Sequence, residues 1–230
     1  MQIAIICGGL ATRLENLAKN IPKSMIEIQE KPFLEYQIEN CKKNGIKDFV
    51  LCVGHLSDYI ENYFGSGKKF NINIKYSHDG DKLLGPIGAL KNAETLLDDI
   101  FFMMYGDSYV FVDFEKVYDY FQKTDNKALM TVFQNCDKID ISNVVIKNKK
   151  VVKYNKEKTK DMLFIDYGVS IFRKKILDEI PKNTFYSTKD LFSNLVDQDN
   201  LLSYEIKKRF YHIGTPESLK EFTDYIKSLK

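Results

Sequence analysis

Short apolar runs alternate with segments of helical periodicity along the first half of the chain. The runs, which predict buried strands, cover residues 3–7, 49–53, 72–76 and 100–105. Between them apolar residues recur every three or four positions, which predicts helices from about Phe33 to Asn44-Gly45, over 57–64 and over 89–97. Because strands and helices alternate, we expect parallel strands joined by right-handed crossovers.

Strands predominate after about residue 126. Apolar segments at 129–133, 143–146, 151–154 and 164–172 predict strands, and KNKK at 147–150 predicts a hairpin turn. Helices are predicted over 188–197 and 216–228, the second with Thr215 as N-cap and Pro216 at its first position. We therefore predict one α/β domain, 1–230, in which a second half, about 127–230, adds antiparallel strands to a parallel first half, about 1–126.

Composition and charge exclude several classes of protein. The hydrophobic fraction of 44% and the charged fraction of 29% are usual for a soluble globular protein. The 34 basic and 32 acidic side chains leave a net charge of +2, too small to predict a nucleic-acid-binding surface. No apolar run approaches a membrane span and no leader precedes the first strand, so we expect a cytoplasmic protein without a membrane partner. Four cysteines without CxxC spacing predict no disulfide framework.

The first predicted strand ends in a glycine-rich segment. Gly8 and Gly9 follow it, and Arg13 comes four residues later. Ligands of open α/β sheets bind beyond the carboxyl ends of the strands, where adjacent glycines let backbone N–H groups approach an anion. The forked guanidinium of Arg13 suits phosphate oxygens. The spacing fits neither the Walker loop nor the dinucleotide fingerprint, and two glycines alone favour a simple turn beside a surface arginine.

Five sequence blocks occur in order along nearly the whole chain. They are GGLATRL at 8–14 with Pro22-Lys23, GPIGA at 85–89, Gly106-Asp107, YGV at 167–169 and FYHIGTP at 210–216. In combination they resemble the NDP-sugar pyrophosphorylase, or sugar-phosphate nucleotidyltransferase, family, whose first motifs are usually GGxGTRL and PKP. The chain looks most like the bacterial heptose-1-phosphate guanylyltransferases and the muramate-1-phosphate uridylyltransferases.

The resemblance implies both a fold and a reaction. The fold is α/β, a Rossmann-like three-layer sandwich with a mixed, mostly parallel central sheet of the nucleotide-diphospho-sugar transferase type. The reaction joins an NTP and a sugar 1-phosphate and releases pyrophosphate, with GTP and a heptose or hexose 1-phosphate favoured, for capsule or lipopolysaccharide synthesis. Open alternatives are a cytidylyl- or uridylyltransferase on another phosphorylated small molecule, and a non-catalytic nucleotide-binding relative. A glycosyltransferase fits less well, because Ser108-Tyr109 after Asp107 does not complete a DxD metal motif.

The implied reaction needs no general base. A phosphate monoester has its second pKa near 6, so the attacking sugar phosphate is largely a dianion at neutral pH. The catalytic task is to align two polyanions and to stabilise charge on the transferred phosphoryl group.

The resemblance and this charge requirement imply three sets of site residues. The catalytic residues would be Arg13, Lys23 and Asp107. The nucleotide would be bound by Cys7, Gly8, Gly9, Ala11, Thr12, Asp79, Gly85 and Gly88. The sugar phosphate would be bound by Lys156, Asp166 and Gly168, with Lys158 as the alternative to Lys156. Asp107 and His212 would hold the metal, Mg²⁺ or alternatively Mn²⁺, and the chain is compatible with a homodimer.

Some positions leave alternatives open. Asp79 could accept hydrogen bonds from guanine, or lie on the solvated surface. Ala11 and Pro86-Ile87 replace residues that are glycine or Thr-Gly in the family. His212 stands where the family has its second metal-binding aspartate, and imidazole suits manganese better than magnesium. We expect residue 212 to lie near Asp107, either as a metal ligand or as a hydrogen-bonding residue.

Overall fold

The computed structural model describes residues 1–8, 20–80, 82–155 and 157–229. Its strands are β1 (Gln2–Ile6), β2 (Glu27–Ile28), β3 (Lys31–Pro32), β4 (Asp48–Val53), β5 (Asn73–His78), β6 (Ile100–Tyr105), β7 (Ser108–Tyr109), β8 (Ala128–Gln134), β9 (Val144–Lys147), β10 (Lys150–Tyr154), β11 (Phe164–Arg173), β12 (Leu201–Glu205) and β13 (Tyr211–His212). Its helices are α1 (Phe33–Lys43), α2 (Ser57–Phe64), α3 (Gly85–Asn92), α4 (Phe114–Gln122), α5 (Thr188–Asp197) and α6 (Pro216–Lys227).

The main sheet contains nine strands in the order β5-β4-β1-β6-β11-β8-β12-β10-β9. Strands β5, β4, β1 and β6 are parallel to one another, and β12 is parallel to β8. Strand β11 is antiparallel to β6 and β8, and β10 is antiparallel to β12 and β9. Because β10 and β11 alone in this sheet run against the others, it is mixed and mostly parallel, as predicted.

Helices cover both faces of this sheet. On β1, Ile3 and Ile5 face a core that includes residues of α1, α2 and α4, while Ala4 faces a second core with residues of α3 and α5. This alternation follows from the period of two along a strand, and burial of each large aliphatic side chain contributes about 1.5–3 kcal/mol. The predicted three-layer sandwich is therefore confirmed. Within the four described ranges, no helix is long and apolar enough to cross a membrane.

Several local predictions are confirmed. Helix α1 is followed by Gly45, whose φ of +90° is the left-handed conformation expected at a helix end. The hairpin between β9 and β10 turns at Asn148 and Lys149, with φ angles of 52° and 61°. Thr215 caps α6, because its side chain accepts a hydrogen bond from the backbone N–H of Ser218.

Other predictions are wrong. Helix α3 was predicted over 89–97 but begins at Gly85 and includes the GPIGA segment, because Pro86 stands near the helix start, where its fixed φ is favourable and no N–H is needed. The helix ends at Asn92, and a separate 3₁₀ turn covers Glu94–Leu96. The sequence reasoning missed α4 and β12, and because β12 is parallel to β8, the second half of the chain is not purely antiparallel.

Candidate active site

The carboxyl ends of β1, β4, β5 and β6 meet at one edge of the sheet, so Gly8, Gly54 and Asp79 come together there. A Cβ atom on Gly8 would lie 3.0 Å from Asp79 Oδ2 and 3.3 Å from the backbone nitrogen of Gly54. A side chain at residue 8 would therefore crowd its neighbours, and glycine favours this close approach of the three loops. The edge is the position at which open α/β sheets bind their ligands.

Asp107 projects from the end of the central strand β6. The backbone N–H of Gly106 donates a hydrogen bond to Ile6 O at 3.0 Å, which fastens this strand end to β1. A Cβ on Gly106 would lie 2.6 Å from the same oxygen, closer than real side chains come. The glycine therefore permits the contact that fixes the position of Asp107.

Lys23 forms an ion pair with Asp107, with 2.6 Å between Nζ and Oδ2. Lys23 begins a 3₁₀ turn after Pro22, whose φ is −58°, and the next two residues, Ser24 and Met25, are buried. These buried neighbours anchor the turn, so the lysine side chain reaches across 84 positions of sequence to the end of β6. Two of the three predicted catalytic residues are thus in contact, whereas Arg13 lies outside the described residues, as do Gly9, Ala11 and Thr12.

His212 lies beside Asp107, as predicted. Strand β13 pairs with β7 so that His212 is opposite Ser108, and Ile213 N donates to Asp107 O at 3.0 Å. Burial lowers the pKa of His212, while the negative charge of Asp107 opposes this shift. The imidazole is therefore neutral at neutral pH.

A cavity of about 730 Å³ extends from this cluster along the sheet. Its lining includes Lys23, Asp107 and His212 together with Asp166 and Gly168. The remaining polar lining is contributed by Tyr105, Ser108, Lys138, Asp140, Asn143, Tyr154, Tyr167, Thr188, Arg209, Thr215, Glu217, Ser218 and Glu221. The cavity thus joins the predicted metal residues to the predicted sugar-phosphate residues.

Asp166 is held on a bulge of β11. The register with β8 shifts between Asp166 and Ser170, and Gly168 within the bulge has a φ of +89°. Gly168 N donates to Asp166 Oδ1 at 2.9 Å, and burial raises the pKa of this carboxyl to about 6 despite that bond. Lys156 lies outside the described residues, and its alternative, Lys158, pairs with Asp137 rather than lining the cavity.

Asp79 follows β5 and lies against Gly8. Burial raises the pKa of its carboxyl to about 6, and the positive charge of His78 partly opposes this. Its Oδ1 atom is buried without a hydrogen-bond partner in the described part of the chain. A buried acceptor without a partner is costly, so it marks a place where a ligand donor would be favourable.

The structure gives three predicted nucleotide residues other contacts. Ile87 N and Gly88 N both donate to Tyr186 O, and a Cβ on Gly88 would lie 2.6 Å from Thr184 O. Gly85, with a φ of +68°, packs against Phe185 and Tyr186 of the same segment. In the first turn of α3, Pro86 is the residue that lines the cavity. Burial raises the pKa of Cys7 to about 12, which keeps it a thiol and excludes it as a nucleophile. Nucleotide contacts by these three residues stay predictions.

Comparison with known proteins assigns the family. The sequence profile described as nucleotidyl transferase matches residues 3–228. The chain belongs to this nucleotidyl transferase family.

Two relatives of this nucleotidyl transferase match most of its length. The D-glycero-alpha-D-manno-heptose 1-phosphate guanylyltransferase of Campylobacter jejuni is 29% identical, over 96% of this chain and 98% of that protein. The UTP–glucose-1-phosphate uridylyltransferase of Synechocystis is 28% identical, over 86% of this chain and 55% of that protein. This chain therefore spans about half the length of the second relative.

Solved structures support the same fold for this nucleotidyl transferase. HddC from Yersinia pseudotuberculosis, complexed with GMP-PN, superposes with a TM-score of 0.81, with 23% identity and coverage of 98% of this chain and 99% of that chain. The inositol-1-phosphate CTP transferase from T. maritima superposes with a TM-score of 0.82, with 20% identity and coverage of 98% and 96%.

The residues of this nucleotidyl transferase fit a divalent cation that is held mainly by substrate. No group of three or more metal-ligating side chains occurs among the residues described. Asp107 provides one carboxylate, and Mg²⁺ typically binds one or two carboxylates while phosphates and water complete its shell. In the described lining, five carboxylates (Asp107, Asp140, Asp166, Glu217 and Glu221) face three cations (Lys23, Lys138 and Arg209). Two phosphorylated ligands would require added positive charge there, which a cation supplies.

Sequence reasoning missed two charged residues, Lys138 and Asp140, that line this nucleotidyl transferase cavity. Lys138 and Asp140 lie on a loop that is organised by the buried side chain of Asn135. Asn135 Nδ2 donates to Asp140 O and to Ser142 Oγ, and its Oδ1 accepts from Ile139 N. No motif in the sequence indicates such a network, because it depends on one buried amide.

Proposed function

We propose that this chain is a sugar-1-phosphate nucleotidyltransferase that uses GTP and a heptose or hexose 1-phosphate. The observation that carries the proposal is the contact between Lys23 and Asp107. This pair lies between two places: the strand ends that carry Gly8 and Asp79, and the cavity that Asp166 lines. A lysine and a carboxylate at such a junction are suited to phosphoryl transfer, because one binds phosphate oxygens and the other a divalent cation.

The chemistry requires one bond to form and one to break. An oxygen of the sugar phosphate attacks the α-phosphorus of the NTP, and the bond from that phosphorus to the oxygen bridging to the β-phosphate breaks. No proton is transferred, since the attacking dianion and the leaving pyrophosphate are both anions. Lys23 would exchange Asp107 for an α-phosphate oxygen, and Asp107 would hold Mg²⁺ or Mn²⁺. The metal, when bound, neutralises charge on the phosphates.

The choice of GTP rests on Asp79. Its buried Oδ1 lacks a partner within the described ranges, and its other carboxylate oxygen, Oδ2, lies beside Gly8 at the edge where the nucleotide would bind. Guanine offers two adjacent donors, N1–H and the 2-amino group, which a carboxylate can accept together. The heptose guanylyltransferase among the relatives agrees with this choice.

The choice of a sugar phosphate rests on the rest of the cavity. Asp166, Tyr154 and Thr188 provide acceptors and hydroxyl groups suited to sugar hydroxyls, and the volume of about 730 Å³ accommodates a hexose or heptose. A cytoplasmic location and a role in capsule or lipopolysaccharide synthesis belong to the same proposal.

The test is a matrix of the four NTPs against hexose and heptose 1-phosphates, with pyrophosphate release as the readout. We expect GTP with one of these sugar phosphates to exceed every other combination at least about tenfold, since each tenfold corresponds to about 1.4 kcal/mol. Release with UTP or CTP instead would contradict the base assignment. The absence of release in every combination would contradict the proposed activity.

Asp79→Asn should reduce kcat/KM for GTP by about 10–150-fold. The amide has one donor and one acceptor where guanine requires two acceptors, and a hydrogen bond to a charged group is worth about 1.5–3 kcal/mol. With ITP, which lacks the 2-amino group, the loss should be smaller. Asp58→Asn, which removes an exposed carboxylate on α2, is the matched control and should leave both values unchanged.

The same assignment predicts a pH dependence of GTP binding. Because the pKa of Asp79 is raised to about 6, its carboxylate is protonated as the pH falls below that value. The KM for GTP should therefore rise below about pH 6 in the wild type, and this rise should disappear in Asp79→Asn. An identical pH profile in the two proteins would contradict the role of Asp79.

A further inference from the structure

The ring of His212 is fixed by a backbone hydrogen bond. Gly214 N donates to His212 Nδ1 at 3.1 Å. A Cβ on residue 214 would lie 2.9 Å from Nδ1, so the glycine backbone is in direct contact with the ring. Because a backbone N–H can only donate, Nδ1 must be the ring nitrogen without a proton.

The proton of the neutral imidazole is therefore on Nε2. The neutral form follows from the geometry, since an imidazole whose Nδ1 accepts a hydrogen bond carries only one ring proton. No residue in the described ranges accepts a hydrogen bond from Nε2, and His212 lines the cavity with Lys23 and Asp107. Within the described ranges this N–H donor thus has no protein partner, and the residue that carries it lines the active-site cavity.

This arrangement is unsuited to metal binding. A metal ion needs a nitrogen lone pair, but the lone pair of Nδ1 is used by Gly214 and Nε2 carries the proton. Binding through Nε2 would require the other tautomer, which places a proton on Nδ1 against the N–H of Gly214. This tautomer would lose the hydrogen bond from Gly214 N to Nδ1 and would bring two N–H donors into contact, which is unfavourable.

We propose that His212 donates a hydrogen bond through Nε2 to a phosphate oxygen of the bound substrates and is not a metal ligand. Of the two residues predicted to hold the metal, Asp107 alone then does so. The position of Lys23 favours an anion as the acceptor of this bond. Its Nζ lies 3.8 Å from where a Cβ on Gly214 would be, and Gly214 is the residue that binds the His212 ring. The ammonium of Lys23 and the imidazole of His212 thus belong to the same cavity lining, and a cation together with an N–H donor suits a phosphate. The identity of the acceptor rests on the proposed function, whereas the tautomer does not.

The first test is the tautomer itself, measured by ¹⁵N NMR on histidine-labelled protein without substrates. We expect a proton on Nε2 and none on Nδ1 of His212, assigned by comparison with His212→Gln. A proton on Nδ1 would overturn the proposal. This measurement is decisive even if the chain turns over no sugar phosphate, so it separates the failure of this inference from the failure of the proposed function.

The second test compares His212→Gln with His212→Asn. Glutamine keeps an N–H near the Nε2 position, whereas asparagine keeps only an acceptor for Gly214 N, near the Nδ1 position. Mn²⁺ binding to the protein with GTP, followed by EPR, should stay within about twofold of the wild type in both variants, far less than the 10–100-fold that loss of a metal-site partner costs. The rate of pyrophosphate release should fall about tenfold or more in His212→Asn and should be restored toward the wild-type rate in His212→Gln.

Two results would overturn the proposal. One is Mn²⁺ affinity at least about tenfold weaker in both variants, which would identify His212 as a ligand. The other is equal loss of pyrophosphate release in folded glutamine and asparagine variants, which would show that the donor at Nε2 has no role.

Discussion

Asp107→Asn should abolish metal-dependent pyrophosphate release while the protein stays folded. The amide keeps the shape of the side chain at the end of β6 but loses the charge that attracts a divalent cation. We expect kcat to fall by at least about a hundredfold, equivalent to about 2.7 kcal/mol, and the dependence on Mg²⁺ to weaken. Initial rates over a range of Mg²⁺ concentrations, with circular dichroism as a folding check, provide the measurement.

The control for this variant removes one negative charge elsewhere. Asp58→Asn lies in the first turn of α2, outside the cavity, and should retain the wild-type rate and metal dependence. If Asp107→Asn releases pyrophosphate at the wild-type rate with the same Mg²⁺ requirement, Asp107 does not hold the metal.

Lys23→Ala should lower kcat by about a hundredfold without removing the metal requirement. The variant loses a charged hydrogen bond to the α-phosphate, and a contact of about 3 kcal/mol in the transition state corresponds to that factor. The half-saturating Mg²⁺ concentration should not increase, because Asp107 is then free of its lysine partner. Single-turnover rates at saturating nucleotide separate this loss from weaker binding.

Lys31→Ala is the matched control for Lys23→Ala. Lys31 is also ion-paired, with Glu39 at 2.8 Å, but it lies outside the cavity lining. Its loss should leave turnover unchanged, and equal losses in the two variants would contradict the assignment of Lys23. For Arg13, which lies outside the described residues, a steep loss on substitution by alanine stays a sequence-based prediction.

The buried centre of the fold was predictable because its apolar runs have clear ends. Residues 100–105 form β6 with the predicted bounds, since a continuous apolar run bounded by Gly106 has the length of a buried strand. Helix α4 was missed although Phe114, Val117 and Phe121 are spaced as one helical face after the capping residue Asp113. Its signal was present, so this error belongs to the interpretation.

The active site was predictable to a smaller extent. The family motifs predicted that Lys23 and Asp107 share a site and that His212 lies near Asp107, and the structure places all three residues in one cavity lining. The positions of the lining residues Lys138 and Asp140 depend on the buried amide of Asn135 and on contacts that no local pattern encodes. Tertiary hydrogen bonding, rather than periodicity, decides such positions.

The ion pair between Lys23 and Asp107 has a consequence for selection between free metal ions and metal–nucleotide complexes. On the proposed assignment, a free divalent cation that binds Asp107 displaces Lys23 and leaves its ammonium without a counterion. A metal–nucleotide complex brings phosphate oxygens for the lysine together with the cation for the aspartate, so both charges change partner and neither is left alone. The resting protein is thereby biased against loading the metal before the nucleotide arrives, which would make the binding of the two thermodynamically coupled.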